Sequence, residues 1–420
     1  MSVTAAILTI GDELMLGGRL DTNGPWLACQ LAARGVPTAQ RCSVQDCTDA
    51  IKSQIHCLSK SHDLLFVTGG LGPTADDKTR ASVAESLGVP LVEDEAALAS
   101  IESWFASRGA VMPKENISQS LRPETASWIE NKHGTAPGLR ATMNQCTIVC
   151  LPGPPSELKP MFAAIIDELL HGQPCGQILQ TVEVHSWGLA ESIAGERIVD
   201  LMNALNPRVA ILMNSHGITA RITGEDLNVI NTIAQEIESR WSPFVYGRNA
   251  TTLAKSVGEL LQNRELEIAT AESCTAGFLS HLIGEVEGAS SWFCGGWVTY
   301  SNALKMSQLH VPAQLLESHG AVSRQVAQSM ACGAAVASDS AVGLSTTGIA
   351  GPSGGTAQKP VGTVFIGCKI EESLHVREFR FSGERDAIRR RTAYTALQML
   401  RLELLGEKVE TMCWQHESSM

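Results

Sequence analysis

The apolar positions of the chain fall into three successive patterns. From residue 1 to about 171, short unbroken apolar runs alternate with apolar residues at helical spacing. Val3–Ile10, Asp63–Thr68 and Thr147–Leu151 read as buried strands. Between and after them, helices are predicted over Pro25–Arg34 (Asn23 or Thr22 as cap, Gly35 as stop), through Ile51, Ile55 and Leu58, over Asp76–Leu87 before Gly88, through Leu98, Ile101 and Phe105, and over Ser156–Leu170. This alternation of strand and helix predicts a mostly parallel sheet covered on both faces, an α/β sandwich.

Residues 172–248 change pattern. Val182–Trp187, Arg208–Met213, Ile218–Thr223 and Phe244–Tyr246 read as strands, with helices over Ala190–Met202 and Leu227–Trp241. The β-α-β-β-α-β order predicts a small α+β module. It holds no catalytic cluster and is read as a linker or dimerisation module. Residues 249–406 open on a helix marked by Leu253, Val257, Leu260 and Leu261. Strands are predicted at Glu267–Ala271, Trp297–Tyr300, Ala341–Thr346, Val361–Lys369 and His375–Phe381, then a long helix from Arg385, giving a second α/β domain. Residues 407–420 read as a polar, frayed tail.

Composition narrows the partners. The 420 residues carry 32 Lys and Arg against 44 Asp and Glu, a net charge of −12. That balance argues against a duplex nucleic-acid partner and leaves room for a local pocket binding a small anion. The N-terminus lacks the basic start of a signal peptide, and the small-residue stretch 325–358 is too polar for a membrane helix, so a cytoplasmic location is expected. None of the 12 cysteines forms a Cys-x-x-Cys pair, so a structural zinc site is not expected and the thiols read as reduced. A homodimer is the base-rate expectation.

In the first segment, Thr68-Gly-Gly-Leu-Gly-Pro-Thr74-Ala-Asp-Asp77 follows a strand and opens a helix. Gly69, Gly70 and Gly72 allow close backbone approach, and successive N–H groups there, with Thr74 and Asn23 beside them, would cradle phosphate oxygens. Asp12, Glu13, Asp21, Asp76 and Asp77 fall on loops at the same predicted sheet edge. Carboxylates beside a phosphate loop repel the ligand unless a divalent cation lies between, whereas one or two acids would be explained by helix capping. Glu157, in Leu151-Pro-Gly-Pro-Pro-Ser-Glu-Leu158, could reach the same pocket.

In order, GDELMLG, DTN, TGGLGPTADD, GTAPG and LPGPPSEL resemble the molybdopterin-binding-like domain of the CinA (competence/damage-inducible) family. The resemblance implies a fold like that of molybdenum-cofactor biosynthesis enzymes and an ADP-ribose pyrophosphatase dependent on Mg²⁺, Mn²⁺ or Co²⁺. No Nudix-type helix is present, so diphosphate cleavage would use this other site. The chain departs from the family pattern at Cys47, where a second acid is common after Asp46, and at Lys78, where an apolar residue is common.

In the third segment, Ala271-Glu-Ser-Cys-Thr-Ala-Gly277, Gly288-Ala-Ser-Ser-Trp-Phe293 and Val298-Thr-Tyr-Ser-Asn-Ala-Leu-Lys305 bring hydroxyls, a phenol, a thiol and an amine onto consecutive loops. A serine and a lysine held neutral by burial could supply nucleophile and base for amide hydrolysis. Chemistry alone leaves Ser273, Cys274 and Ser290 open as nucleophiles. Gly348, Gly351, Gly354 and Gly355 form a second candidate anion nest, with Arg385 and Arg389 as phosphate partners.

AESCTAG, GASSWFCGGWVTYSNALK, HGAVS, STTGIAGPSGG and KPVGTV resemble the CinA C-terminal domain, which is similar to stand-alone nicotinamide mononucleotide (NMN) deamidases. The resemblance implies hydrolysis of NMN to nicotinate mononucleotide and ammonia without a cofactor. It implies Ser290 as nucleophile, Lys305 as its base, and Ser273, Tyr300 and Thr347 as assisting hydrogen-bond groups. Ala276 stands where the family usually has glycine. The rival readings are a first domain that is inactive or handles pterin nucleotides, and a non-enzymatic, competence-associated adaptor.

Overall fold

The computed structural model describes residues 2–407 and 412–416. The chain divides into two compact units, residues 1–180 and 181–420.

In the first unit the strand Ala5–Ile10 is central, pairing in parallel with Thr38–Val44 on one side and Leu64–Thr68 on the other. Leu64–Thr68 pairs in parallel with Cys146–Leu151, and Gly138–Met143 and Ser127–Ile129 extend that side as antiparallel strands. Side chains on a strand alternate between faces. Ala6, Leu8 and Ile10 accordingly enter one core with Ile51, Ile55 and Val83, while Ala5 and Ile7 enter the other with Leu27, Leu31, Leu158 and Phe162. The helices Thr48–Leu58 and Thr79–Leu87 cover the first face, and Asn23–Ala32 and Pro155–Leu170 the second. The helix predicted from Asp76 starts at Thr79, because the residues before it fold into the glycine loop.

The second unit begins with the α+β module. Its sheet has the order Arg208–Asn214, Gly217–Gly224, Gln180–Ser186, Val245–Arg248, with helices Glu191–Met202 and Leu227–Trp241. The following sheet centres on Ile268–Glu272, flanked in parallel by Phe293–Val298 and Val342–Gly348. Antiparallel strands Thr363–Ile370 and Ser373–Arg380 continue it. Both principal sheets therefore have a parallel centre whose neighbours lie on opposite sides, the arrangement that opens a crevice at the strands' carboxyl ends.

One buried cluster runs from Val184, Ile237 and Trp241 of the small module to Leu397 and Leu400 of the long helix Arg385–Leu405. Trp187 Nε1 donates to Thr395 Oγ1 at 3.1 Å, and the buried Gln398 amide donates to Trp187 O and Phe244 O at 3.0 and 3.1 Å. The tail departs from expectation. Residues 412–416 are packed rather than frayed, since Met412 is 1% exposed, Trp414 lies against Trp187 and Phe381, and Gln415–His416 pairs with Ser373–Arg380. The remaining tail positions lie outside the described residues. All 12 cysteines are unpaired, and among the described residues no helix is long and apolar enough to cross a membrane.

Candidate active sites in the two units

In the second unit, Ile268–Glu272 and Phe293–Val298 end side by side, Glu272 pairing with Val298. Ser273 follows the first strand and Thr299–Tyr300 the second. Lys305, one turn into the helix Asn302–Leu309, reaches back under both ends and is 1% exposed. Its Nζ donates to Ser273 Oγ at 3.0 Å, Thr299 O at 2.8 Å and Tyr300 O at 3.4 Å. Burial pulls the Lys305 amine down to about 8. A lysine so placed is partly in the free-base form near neutral pH, the form able to take a hydroxyl proton.

The structure separates Ser290 from this amine. Ser290 is exposed on the short 3₁₀ turn Ala289–Ser291, which precedes Phe293–Val298, whereas Lys305 follows that strand. A six-residue strand is roughly 20 Å long at about 3.3 Å per residue, so the two lie toward opposite ends of that strand. The serine beside Lys305 is Ser273. Cys274 is removed as a rival, since burial pushes its thiol up to about 12.

The turn carrying Ser273 is tightly held. Ser273 N donates to Thr346 O, and the hydroxyls of Thr275 and Thr346 lie 2.8 Å apart. Glu272 is fully buried, and its carboxylate accepts from Gly277 N, Leu279 N, Ser280 N and Ser280 Oγ at 2.5–3.0 Å. It thereby caps the helix Phe278–Gly284. Neither Glu272 nor Thr346 was singled out as a site residue in the sequence, although a buried acid closing an apolar strand was a readable signal. Thr347 points away from the serine, as alternation along Val342–Gly348 requires, and donates to Ala321 O. It anchors the HGAVS loop instead of assisting Ser273. Ala276 sits at φ +50° and Gly277 at φ +90°, which explains why glycine suits position 276.

Tyr300 is exposed, and its phenol oxygen accepts from Arg385, which also donates to Gly351 O. Arg385 thus ties the Tyr300 loop to the glycine loop holding Gly348, Gly351, Gly354 and Gly355. Arg389 donates to Thr275 O, and its Nε is buried with no partner among the described residues. Arg389 accordingly borders the Ser273 turn, and Arg385 the Tyr300 loop.

In the first unit, a pocket of about 460 Å³ opens at the carboxyl ends of Ala5–Ile10 and Leu64–Thr68. Gly69, Gly70, Gly72 and Asn23 line it as expected. Much of the predicted phosphate cradle, however, is closed by the protein itself. Asp77 accepts from Gly72 N at 2.7 Å, Thr74 N at 2.9 Å and Thr74 Oγ1 at 2.6 Å. Gly69 N donates to Leu151 O, while Gly70 and Leu71, nearest the glycine turn, are among the loop N–H groups without a protein partner among the described residues. The buried Arg80 donates to Leu71 O and Gly72 O and fixes the loop from behind. Asn23 donates to Thr68 Oγ1 and Gly153 O, joining two loops.

The acids need a similar correction. Asp21 accepts from Gly24 N at the start of its helix. Asp12 does not line the pocket, because it exchanges hydrogen bonds with Asp46, each carboxylate accepting the other's N–H. Asp46, which was not among the predicted ligands, is held above the usual carboxylate range by burial and then by Asp12, Glu13 and Asp76. Glu13, Asp21, Asp46, Asp76, Asp77 and Glu157 line the pocket together with Arg19. Among the described residues, no three acidic, histidine or cysteine side chains converge as a ready-made metal cage. The acids as placed therefore do not form a preformed site for a resident metal.

Comparison with known proteins agrees with this layout. Residues 250–404 match the CinA C-terminal domain, residues 6–171 the family described as "Probable molybdopterin binding domain", and residues 182–247 the damage-inducible protein CinA KH domain. A Caldicellulosiruptor bescii protein bearing the name competence-damage inducible protein is 39% identical over 410 residues, covering 96% of this chain and all of that one. The chain belongs to the CinA family. The CinA-like protein of Dictyoglomus thermophilum is 37% identical over 407 residues, covering 95% of this chain and 99% of that one. A solved structure titled competence/damage inducible protein CihA, from Agrobacterium tumefaciens, is 39% identical with a TM-score of 0.36, covering 36% of this chain and 93% of that one. The KH description gives the middle module a family that its β-α-β-β-α-β pattern alone did not supply.

Proposed function

We propose that the second unit of this CinA-family chain hydrolyses NMN to nicotinate mononucleotide and ammonia. The observation that carries the reading is the 3.0 Å contact between Ser273 Oγ and the buried, low-pKa Lys305 amine. In its free-base form Lys305 takes the Ser273 proton as Oγ attacks the carboxamide carbon. The N–H groups of Cys274 and Thr275, which have no carbonyl partner among the described residues, are the candidate oxyanion donors. The lysine then passes that proton to the amide nitrogen as the C–N bond breaks and ammonia leaves, and water, deprotonated by the same base, hydrolyses the Ser273 ester to nicotinate mononucleotide and the free serine. Arg389 at the Ser273 turn and Arg385 at the Tyr300 loop suit the nucleotide 5′-phosphate. Ammonia release from NMN is the test. Ser273→Ala and Lys305→Ala should each lower turnover by roughly 10³-fold or more, and the double variant should be little worse. Ser290→Ala should stay near normal. A folded Ser273→Ala protein with normal turnover would exclude this assignment.

A second reading concerns the first unit, which we propose hydrolyses ADP-ribose to AMP and ribose 5-phosphate. Its support is the pocket size and the free Gly70 and Leu71 N–H groups at the glycine loop. The six lining carboxylates against Arg19 demand counter-charge for any diphosphate. A divalent cation entering with the substrate would supply that charge. EDTA should abolish ADP-ribose hydrolysis and spare ammonia release from NMN. Equal loss of both activities would refute separate sites.

A further inference from the structure

The pocket of the first unit contains a carboxyl group set apart from its acid cluster. Glu157 stands in the first turn of the helix Pro155–Leu170, which follows Cys146–Leu151, three strands away in the sheet from the Thr38–Val44 strand that leads to Asp46. Its Oε2 accepts from Asn131 Nδ2 at 2.6 Å. The same amide nitrogen donates to Ala136 O, and Asn131 Oδ1 accepts from His133 N, so the amide cannot turn over without losing both bonds. Oε1 has no protein partner among the described residues. Gly134 leaves room for this carboxyl, since a Cβ there would stand 2.1 Å from Oε2. Three separated segments, the Asn131 turn, Gly134 and the Leu151–Leu158 loop, are thus arranged around one half-buried acid in a ligand-sized cavity.

We propose that Glu157 is the catalytic residue that takes the proton from the water attacking the diphosphate. The inference rests on the ADP-ribose reading of this pocket. In the step, the water oxygen bonds to phosphorus and one of its protons passes to Glu157 Oε1. The bridging P–O bond breaks, and its electron pair leaves with the departing phosphate. Burial holds Glu157 above the usual carboxylate range, while the Asn131 bond and then the charge of His133 pull the other way. A carboxylate so raised holds a proton more strongly than a free one, as a general base requires.

The experiment measures ADP-ribose hydrolysis by the full chain with Mg²⁺, Mn²⁺ or Co²⁺ supplied, across pH, alongside calorimetric binding of ADP-ribose. Glu157→Gln should lower kcat by roughly 10²-fold or more, leave KM and binding within about threefold, and abolish the acid limb of the wild-type pH profile. Asn131→Ala removes the bond that favours the ionised form, so it should move that acid limb to higher pH while leaving activity at its plateau. A Glu157→Gln protein with wild-type kcat, or one weakened only in KM, overturns the inference. If that variant fails to fold, an unmoved acid limb in Asn131→Ala overturns it. A wild-type chain that binds but never cleaves ADP-ribose, with any of the three cations, brings down the underlying activity and this inference with it.

Discussion

Lys305 illustrates how a single residue carries opposing demands. Its amine titrates near 8 in the folded chain, against 10.5 for the free side chain. Between these values the unfolded chain binds more protons than the folded one, so stability rises with pH across the window and is lowest below pH 8. A shift of this size corresponds to a penalty on the order of 3 kcal/mol at neutral pH. Lys305→Met should therefore abolish deamidation yet stabilise the protein by roughly 1–3 kcal/mol at pH 6.5, after loss of the bond to Thr299 O. Urea midpoints should show the advantage shrinking toward pH 10, and a constant difference would contradict burial as the cause. Ala276→Gly should also stabilise, by roughly 0.5–1 kcal/mol, because alanine at φ +50° is strained. Lys305 was legible in the sequence, but its partner was not. Ser290 is nearer to it along the chain, and an intervening strand converts that nearness into distance. Ser273 is 32 positions away, yet it follows the parallel neighbour of that strand and so emerges at the same edge.

At the scale of elements, the strands and helices were largely legible because each buries one face. Alternation of Ala5–Ile10 and the helical spacing of Ile51, Ile55 and Leu58 translate directly into the two cores of the first sheet. What the pattern did not reveal is which polar groups satisfy the loops. Asp77 and Thr74 read as ligand groups but close the glycine turn on itself, and Asp12 and Asp46 cap one another. An acid beside a free N–H looks the same in sequence whether the donor belongs to the loop or waits for a ligand. Glu272 is the strongest case, holding four donors, Gly277 N and three from the helix Phe278–Gly284 that follows it. Glu272→Gln would turn an amide NH₂ toward those donors and should cost roughly 2–4 kcal/mol. Thermal unfolding and NMN turnover measured together should both fall, since the same turn carries Ser273. Unchanged stability would mean that the cap is dispensable.

For the whole molecule, the two proposed sites share one design, a loop edge at the carboxyl ends of a parallel sheet centre, repeated in separate units. Three sequence patterns nevertheless become two compact units, because the middle module and the third segment contribute to one core. Periodicity within each segment could not show this, since the decisive groups, Trp187, Thr395 and Gln398, read as ordinary members of their own elements. Gln398 is fully buried and bridges the two carbonyls Trp187 O and Phe244 O. Gln398→Leu keeps the volume but removes that bridge, with an expected cost of about 1–3 kcal/mol. If the shared core makes residues 181–420 cooperative, hydrogen-exchange protection of the Trp187 amide, which donates to Phe244 O, and NMN deamidation should be lost at one temperature in the wild type. In Gln398→Leu both should shift down together, while ADP-ribose hydrolysis by the first unit keeps its own midpoint. A Trp187 transition falling well below the loss of deamidase activity would show the small module melting alone, and the common core would then be a contact surface between independent folds.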